Sequence, residues 1–179
     1  MISSKSTQRY AQALFDLCQK DKTLDQVYED SKSLISVIDQ SPELRGFLQN
    51  PVIPSAQKEK ILKEMFESKV HSASYRFILF LEQKKRLPLL KNILTIFEEL
   101  YLEYKNVLKV TLTSRWELTK EEVQSITHYL KSKFQKDILP QFKINTDILG
   151  GIKIQMGDIV YDYTLATQLK KFKDSIIWS

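Results

Sequence analysis

The chain has 179 residues, of which 42% are hydrophobic, 11% aromatic and 27% charged, with only 4 glycines and 5 prolines. This is globular composition, and it excludes disordered, collagen-like and low-complexity chains, while the length allows one domain or two small ones. The net charge of +5 comes from 27 Lys+Arg against 22 Asp+Glu, with both signs interleaved in each half, so neither half is a strongly basic nucleic-acid module.

The first hundred residues read as successive helices. Tyr10, Ala13, Leu14 and Leu17 form one apolar stripe at i, i+3, i+4, i+7, and Ala11, Phe15 and Cys18 form a second beside it. Residues 1–15 carry no acid but contain Lys5 and Arg9, as a transit peptide would; a first helix whose first acid is Asp16 accounts for the same residues. Leu24, Val27, Tyr28, Leu34, Ile35 and Ile38 continue at helical spacing. Ser41-Pro42-Glu43 is a start signal for a short helix, which Pro51 and Pro54 stop. Ser55 is expected to cap the next, carrying Ile61, Leu62, Met65 and Phe66. A fifth helix is expected from Ser72 to Lys84, and a sixth from near Pro88 with Leu90, Ile93, Leu94, Phe97, Tyr101 and Tyr104. Together these predict an all-α six-helix bundle over 1–105.

At Asn106 the period changes from 3.6 to 2. Leu108, Val110 and Leu112 alternate with Lys109, Thr111 and Thr113, as in a half-buried strand. Thr119 and Glu122 form a capping box before a helix with Val123, Ile126, Leu130 and Phe134. Alternation returns at Phe142 and Ile144, again at Ile152, Ile154 and Met156 after Gly150-Gly151, and a short strand Ile159-Val160-Tyr161 follows the Gly157-Asp158 turn. Thr164 can cap a last helix whose stripe is Leu165, Leu169, Phe172 and Ile176, most of it expected to be core. The segment 106–179 therefore predicts a small α/β unit.

The catalytic inventory is thin. His71 and His128 have no partner at ligand spacing and read as solvated. No GxSxG, GxxxxGK[ST] or GxGxxG occurs. Asp147, Asp158 and Asp162 flank glycine turns, where Asp side chains bond nearby backbone, and read as turn residues rather than a Mg²⁺ site. Lys170, Lys171 and Lys173 suit the negative end of a helix. Cys18 is the single cysteine, which excludes a disulfide framework and a CxxC zinc site. No catalytic, cofactor-binding or metal residue is expected. The longest strictly apolar run, Phe77-Ile78-Leu79-Phe80-Leu81, is far short of the ~20 residues of a bilayer span, so direct membrane insertion is not expected.

That run is the anomaly. Five consecutive apolar residues on a helix point in every direction, so the helix is either central or presents an outer face to a partner. The first helix also shows two apolar stripes. Two over-apolar helices in one bundle suggest a groove for a third, amphipathic helix; Tyr10, Ala13, Leu14 and Leu17 with Phe77, Phe80 and Leu81 are its candidate lining. A central core helix explains the run equally well.

Four segments carry a resemblance. Arg9-Tyr10-Ala11-Gln12-Ala13-Leu14-Phe15, Ser41-Pro42-Glu43-Leu44-Arg45-Gly46-Phe47-Leu48 with Asn50-Pro51, Phe77–Leu81 with Lys85-Arg86-Leu87, and Gly150–Asp162 look like the delta subunit of F-type ATP synthases, known in mitochondria as the oligomycin-sensitivity-conferring protein. The match runs in order along nearly the whole chain, and the last motif is the most specific. Departures are local. The family's Asp-Gly-Ser and Arg-Gly-Arg become Asp162-Tyr163-Thr164 and Ala166-Thr167-Gln168, and its Asn-Gly before Arg86 becomes Lys84-Lys85, which puts the tight turn there in question.

The resemblance implies a non-catalytic stator part of the proton-translocating synthase, peripheral at the cytoplasmic face of a bacterial inner membrane or of plastid origin. It implies that the N-terminal bundle binds the N-terminal helices of the alpha subunits through helices one and five. It implies that the C-terminal unit receives the C-terminal helices of the stalk b subunits, with Phe172, Ile176, Ile177 and Trp178 as the candidate contact. No nucleic-acid partner is implied. A helical adaptor outside the synthase and a weak nucleic-acid binder are the competing readings; steep weakening of nucleic-acid affinity with salt would mark the latter.

Overall fold

The computed structural model describes residues 5–177, and the chain divides into two compact units between Tyr101 and Leu102. The first unit contains α1 (Lys5–Lys20), α2 (Leu24–Gln40), α3 (Pro42–Gln49), α4 (Ser55–Phe66), α5 (Ser72–Gln83), a 3-10 turn (Leu87–Leu89) and most of α6 (Leu90–Tyr104). The division therefore falls inside α6, shortly before the change of period at Asn106.

Helix boundaries follow local chemistry. Ser41 Oγ accepts from the Leu44 N–H at 3.2 Å, and Pro42 occupies the first turn of α3, where no N–H is needed. Ser55 does not cap α4: Pro54 precedes the first turn, and the Ser55 hydroxyl donates instead to Glu82 Oε1 at 3.0 Å. Nor is His71 simply solvated. Its Nδ1 accepts from the Ala73 N–H at 3.2 Å and caps α5, while its own N–H donates to Asp30 Oδ2 at 2.7 Å. The turn expected to be disturbed by Lys84-Lys85 forms nonetheless. Lys85 takes the left-handed conformation at φ 55°, and the Arg86 N–H donates to the Leu81 carbonyl at 2.8 Å.

The core of this unit gathers one face of each helix, including Leu14, Phe15 and Cys18 of α1, Val27 and Leu34 of α2, Leu62 of α4, Ile78 and Leu81 of α5, and Ile93 and Phe97 of α6. Burial raises the Cys18 thiol above its ordinary value. An ion pair is buried with this core: Lys58 Nζ of α4 lies 3.9 Å from Glu82 Oε2 of α5.

The second unit is a four-stranded sheet with helices α7 (Lys120–Phe134) and α8 (Leu165–Ile177). Strands β1 (Val107–Ser114), β2 (Asp137–Ile144), β3 (Gly151–Met156) and β4 (Ile159–Thr164) run in the order β2-β1-β3-β4. β1 pairs parallel with β2, which requires the α7 crossover, and antiparallel with β3; β3 and β4 form a hairpin closed at Gly157, φ 55°. Thr119 and Glu122 make the reciprocal capping box of α7. Leu130 of α7 joins Val110, Leu112, Ile154 and Met156 as the small core, with Ile126 and Phe134 half-buried against it. Pro140 sits in β2, an edge strand, where a missing ladder donor is tolerated. Among the described residues no helix is long and apolar enough to cross a membrane.

Candidate partner-binding faces

The first face lies on α1 and α5. The rings of Tyr10 and Phe80 meet edge to face, centroids 6.2 Å apart at 66°. Phe80 is 40% exposed and Leu17 50% exposed, Ala13 is exposed, and Tyr10 and Phe77 are half-buried. Leu14 at 2% and Leu81 at 0% are core residues instead of groove lining. The reason lies in the helical wheel. Leu14 shares its azimuth with Ala11 and Cys18, and Leu81 with Ile78, so each turns inward, whereas Ala13 and Leu17 sit on the far side of the same stripe. The five-residue run is thus neither wholly central nor wholly outward: Ile78 and Leu81 go to the core, Phe77 and Leu79 lie at its edge, and Phe80 faces out.

The second face is α8 with β4. Leu165, Leu169, Phe172 and Ile176 are all exposed, Leu169 at 65%, which overturns the expectation that most of this stripe is core. Apart from half-buried Thr167, every α8 side chain whose burial is described is exposed. Amphipathic spacing showed that the stripe needs a cover without showing whose. In the second unit α7 has the centre of the sheet, and α8 begins where β4 ends at the sheet edge, so its stripe finds no core of its own. Ile159, Val160 and Tyr163 of β4 are exposed as well, Ile159 and Tyr163 on one face of the sheet and Val160 on the other. The Ile177 side chain and Trp178, the other two expected contacts, lie outside the described residues.

The start of α8 is held firmly. Asp162 Oδ1 accepts from the Thr164 hydroxyl at 2.6 Å and from the Thr164 N–H at 3.0 Å, and these two bonds, hydroxyl first, hold its carboxyl below the usual aspartate range. The Thr167 N–H in turn donates to Thr164 Oγ1 at 3.4 Å, so Thr164 caps α8. Asp162 thus serves a turn. Asp147 stands likewise in a local turn, its N–H donating to Asn145 Oδ1 at 3.0 Å. Among the described residues no group of three His, Cys, Asp or Glu side chains is placed to hold a metal ion.

One apolar strip is not legible as a surface from the sequence. Phe142 and Ile144 of β2 are exposed because α7 covers only the middle of the sheet face on which they stand. Their alternation is plain, but the edge position of β2 follows from strand order, which no local pattern encodes. What both faces offer chemically is apolar area, ring faces and cations, the means of holding a helix.

A family model described as the ATP synthase delta (OSCP) subunit matches residues 7–176. An ATP synthase subunit delta of Clostridium botulinum (strain Langeland / NCTC 10281 / Type F) is 31% identical over 169 residues, covering 94% of each chain. Another, from Lactobacillus johnsonii, is 34% identical over 170 residues, covering 94% of this chain and 93% of that one. The same fold occurs in a chain of the Toxoplasma gondii mitochondrial ATP synthase hexamer, with a TM-score of 0.79 at 22% identity over 96% of this chain and 97% of that one. A chain of the Polytomella F-ATP synthase head and rotor matches 59% of this chain and 93% of its own length, at a TM-score of 0.53 and 23% identity.

Proposed function

The chain belongs to the ATP synthase delta (OSCP) subunit family, and from that premise we propose that its two units grip two different parts of the synthase stator. It is a structural, non-catalytic part of the F-type enzyme and a component of the peripheral stalk. Residues 1–105 act as one six-helix bundle that takes the N-terminal helices of the alpha subunits on the α1/α5 face, through Tyr10, Ala13, Leu17, Phe77 and Phe80. Residues 106–179 receive the C-terminal helices of the b subunits on the α8 face, through Phe172 and Ile176 with Ile177 and Trp178, and Leu165 and Leu169 join them there. The protein sits peripherally with the synthase at the cytoplasmic face of a bacterial inner membrane.

The observation that carries this reading is an exposed apolar helix face on each unit, where a lone globular domain would bury its stripes. Mechanically, such a part must stay bound while the rotor applies torque to the head. Two contacts on one chain help because release of one leaves it held near its site by the other, at an effective concentration in the millimolar range for short connections.

Two substitutions separate the faces. Phe80→Asp, at a site open to water in the free protein, should leave folding intact and abolish binding to a peptide of the alpha N-terminal helix, because docking would desolvate an unpaired carboxylate. Leu169→Asp should do the same for a peptide of the b C-terminal helix while alpha binding is unchanged. Folded variants that bind both peptides normally would refute the assignment of the faces.

A further inference from the structure

The outward side of α5 carries no acid. Its single acid, Glu82, is turned inward to Lys58 and the Ser55 hydroxyl. Arg76, Phe80 and Lys84 stand at i, i+4 and i+8, one row along the helix and its C-cap, and all three are exposed. The Lys84 ammonium lies 5.7 Å from the centre of the Phe80 ring, which holds the side chain beside the ring. Arg76 Nε donates to the Ser72 carbonyl at 3.3 Å. Neither cation has a carboxylate within ion-pair distance among the described residues. Across the Tyr10–Phe80 contact, α1 adds Arg9 beside Tyr10; the single acid of α1, Asp16, stands further along, beside Leu17, and Asp21 follows the helix end.

We propose that the α1/α5 face selects an acidic amphipathic helix, and that Arg76 and Lys84 are the residues that determine this choice. The inference rests on the reading of this face as the head-binding site and adds the chemistry of its partner. Eight residues of helix span ~12 Å, so a partner helix lying along α5 meets both cations with two carboxylates seven or eight residues apart. Its apolar stripe between them covers Phe80 and Tyr10. Covering the rings removes water from the cations, which strengthens each pair; a neutral or basic helix would leave both cations desolvated without partners. The row therefore rejects wrong helices as well as attracting the right one. Lys84 is pre-placed on the ring, so less side-chain freedom is lost when its partner arrives.

The test titrates the full chain and its R76Q/K84Q variant by calorimetry with a synthetic peptide of the cognate alpha N-terminal segment, at about 50 and 500 mM NaCl. A second peptide has every Asp and Glu replaced by the amide. The wild-type chain should bind the native peptide roughly tenfold more weakly at high salt. The double variant should bind at low salt at about that weaker affinity, with little salt dependence, and the amide peptide should behave alike on either chain. If R76Q/K84Q disturbs the melting curve, K84Q alone carries the comparison, with a several-fold loss expected. Unchanged affinity and salt slope in the variant overturn the selection while the head-binding face stands; so does an alpha segment with no two carboxylates seven or eight residues apart. Absence of binding by the wild-type chain, together with normal assembly of Phe80→Ala onto the isolated head, overturns the face assignment and the inference with it.

Discussion

Leu169 lies at the middle of the α8 stripe and is 65% exposed. Full burial of a leucine side chain contributes ~2 kcal/mol, so the third already covered accounts for about 0.7 kcal/mol of folding stability. The remaining two-thirds, about 1.3 kcal/mol, becomes available when a partner covers the face, which corresponds to roughly tenfold in affinity. Leu169→Ala should therefore lower stability by less than about 1 kcal/mol and weaken binding of a peptide of the b C-terminal helix roughly tenfold. Leu112→Ala supplies the contrast. Leu112 is fully buried in the sheet core, and its truncation leaves a cavity costing about 2–5 kcal/mol of stability. Urea denaturation and calorimetric titration on the same preparations give both quantities. A loss above about 2 kcal/mol for Leu169→Ala would mean that the stripe packs within the protein, and unaltered peptide affinity would remove Leu169 from the contact.

Gly151 adopts φ 84°, and a Cβ there would stand 2.4 Å from the Tyr163 carbonyl oxygen, a backbone atom of β4 that cannot step aside. Gly151→Ala should thus cost at least ~2 kcal/mol by urea denaturation, whereas Gly150→Ala, whose Cβ meets only the Leu165 side chain, Cδ1 at 2.8 Å and Cγ at 3.4 Å, should cost under ~1 kcal/mol. Lys85 holds φ 55° at the end of α5, a conformation that costs a side-chain-bearing residue about 1 kcal/mol, so Lys85→Gly should leave stability level or raise it by up to that amount in thermal unfolding. Three carboxyls are held below their ordinary values by donors: Glu43 by its own N–H and the Ser41 hydroxyl, Glu122 by the N–H and hydroxyl of Thr119, and Asp162 by the hydroxyl and N–H of Thr164. Each contributes stability that is present above the unfolded-state values of 3.8 for Asp and 4.5 for Glu and is lost as pH falls through the lower folded values. The melting temperature should accordingly drop below about pH 4, and Glu122→Gln with Asp162→Asn should flatten that acid limb.

The sequence by itself determined most of the elements and several of their ends, because caps, turns and periodicity act within a few residues. Ser41-Pro42, the Thr119–Glu122 box, Gly157 and the change of period at Asn106 are local features, and each does in the fold what its chemistry requires. The chain also carried its kinship, in short motifs whose spacing survives. What it left open was which apolar stripe is covered. α1 has two stripes, buries one and splits the other; Leu14 goes to the core while Leu17, three residues on, is half exposed. α8 has a stripe as regular as any in the chain and leaves it exposed, because α7 already occupies the middle of the sheet and α8 stands at its β4 edge. His71 capped a helix and Lys85 took a glycine conformation, roles that depend on where the chain must turn back against α2 and into the 3-10 turn. Helical period is a property of residues a few positions apart, and so it is written in the sequence. Burial is a property of what lies across from a face, and only the packing of distant segments, or of another chain, decides it.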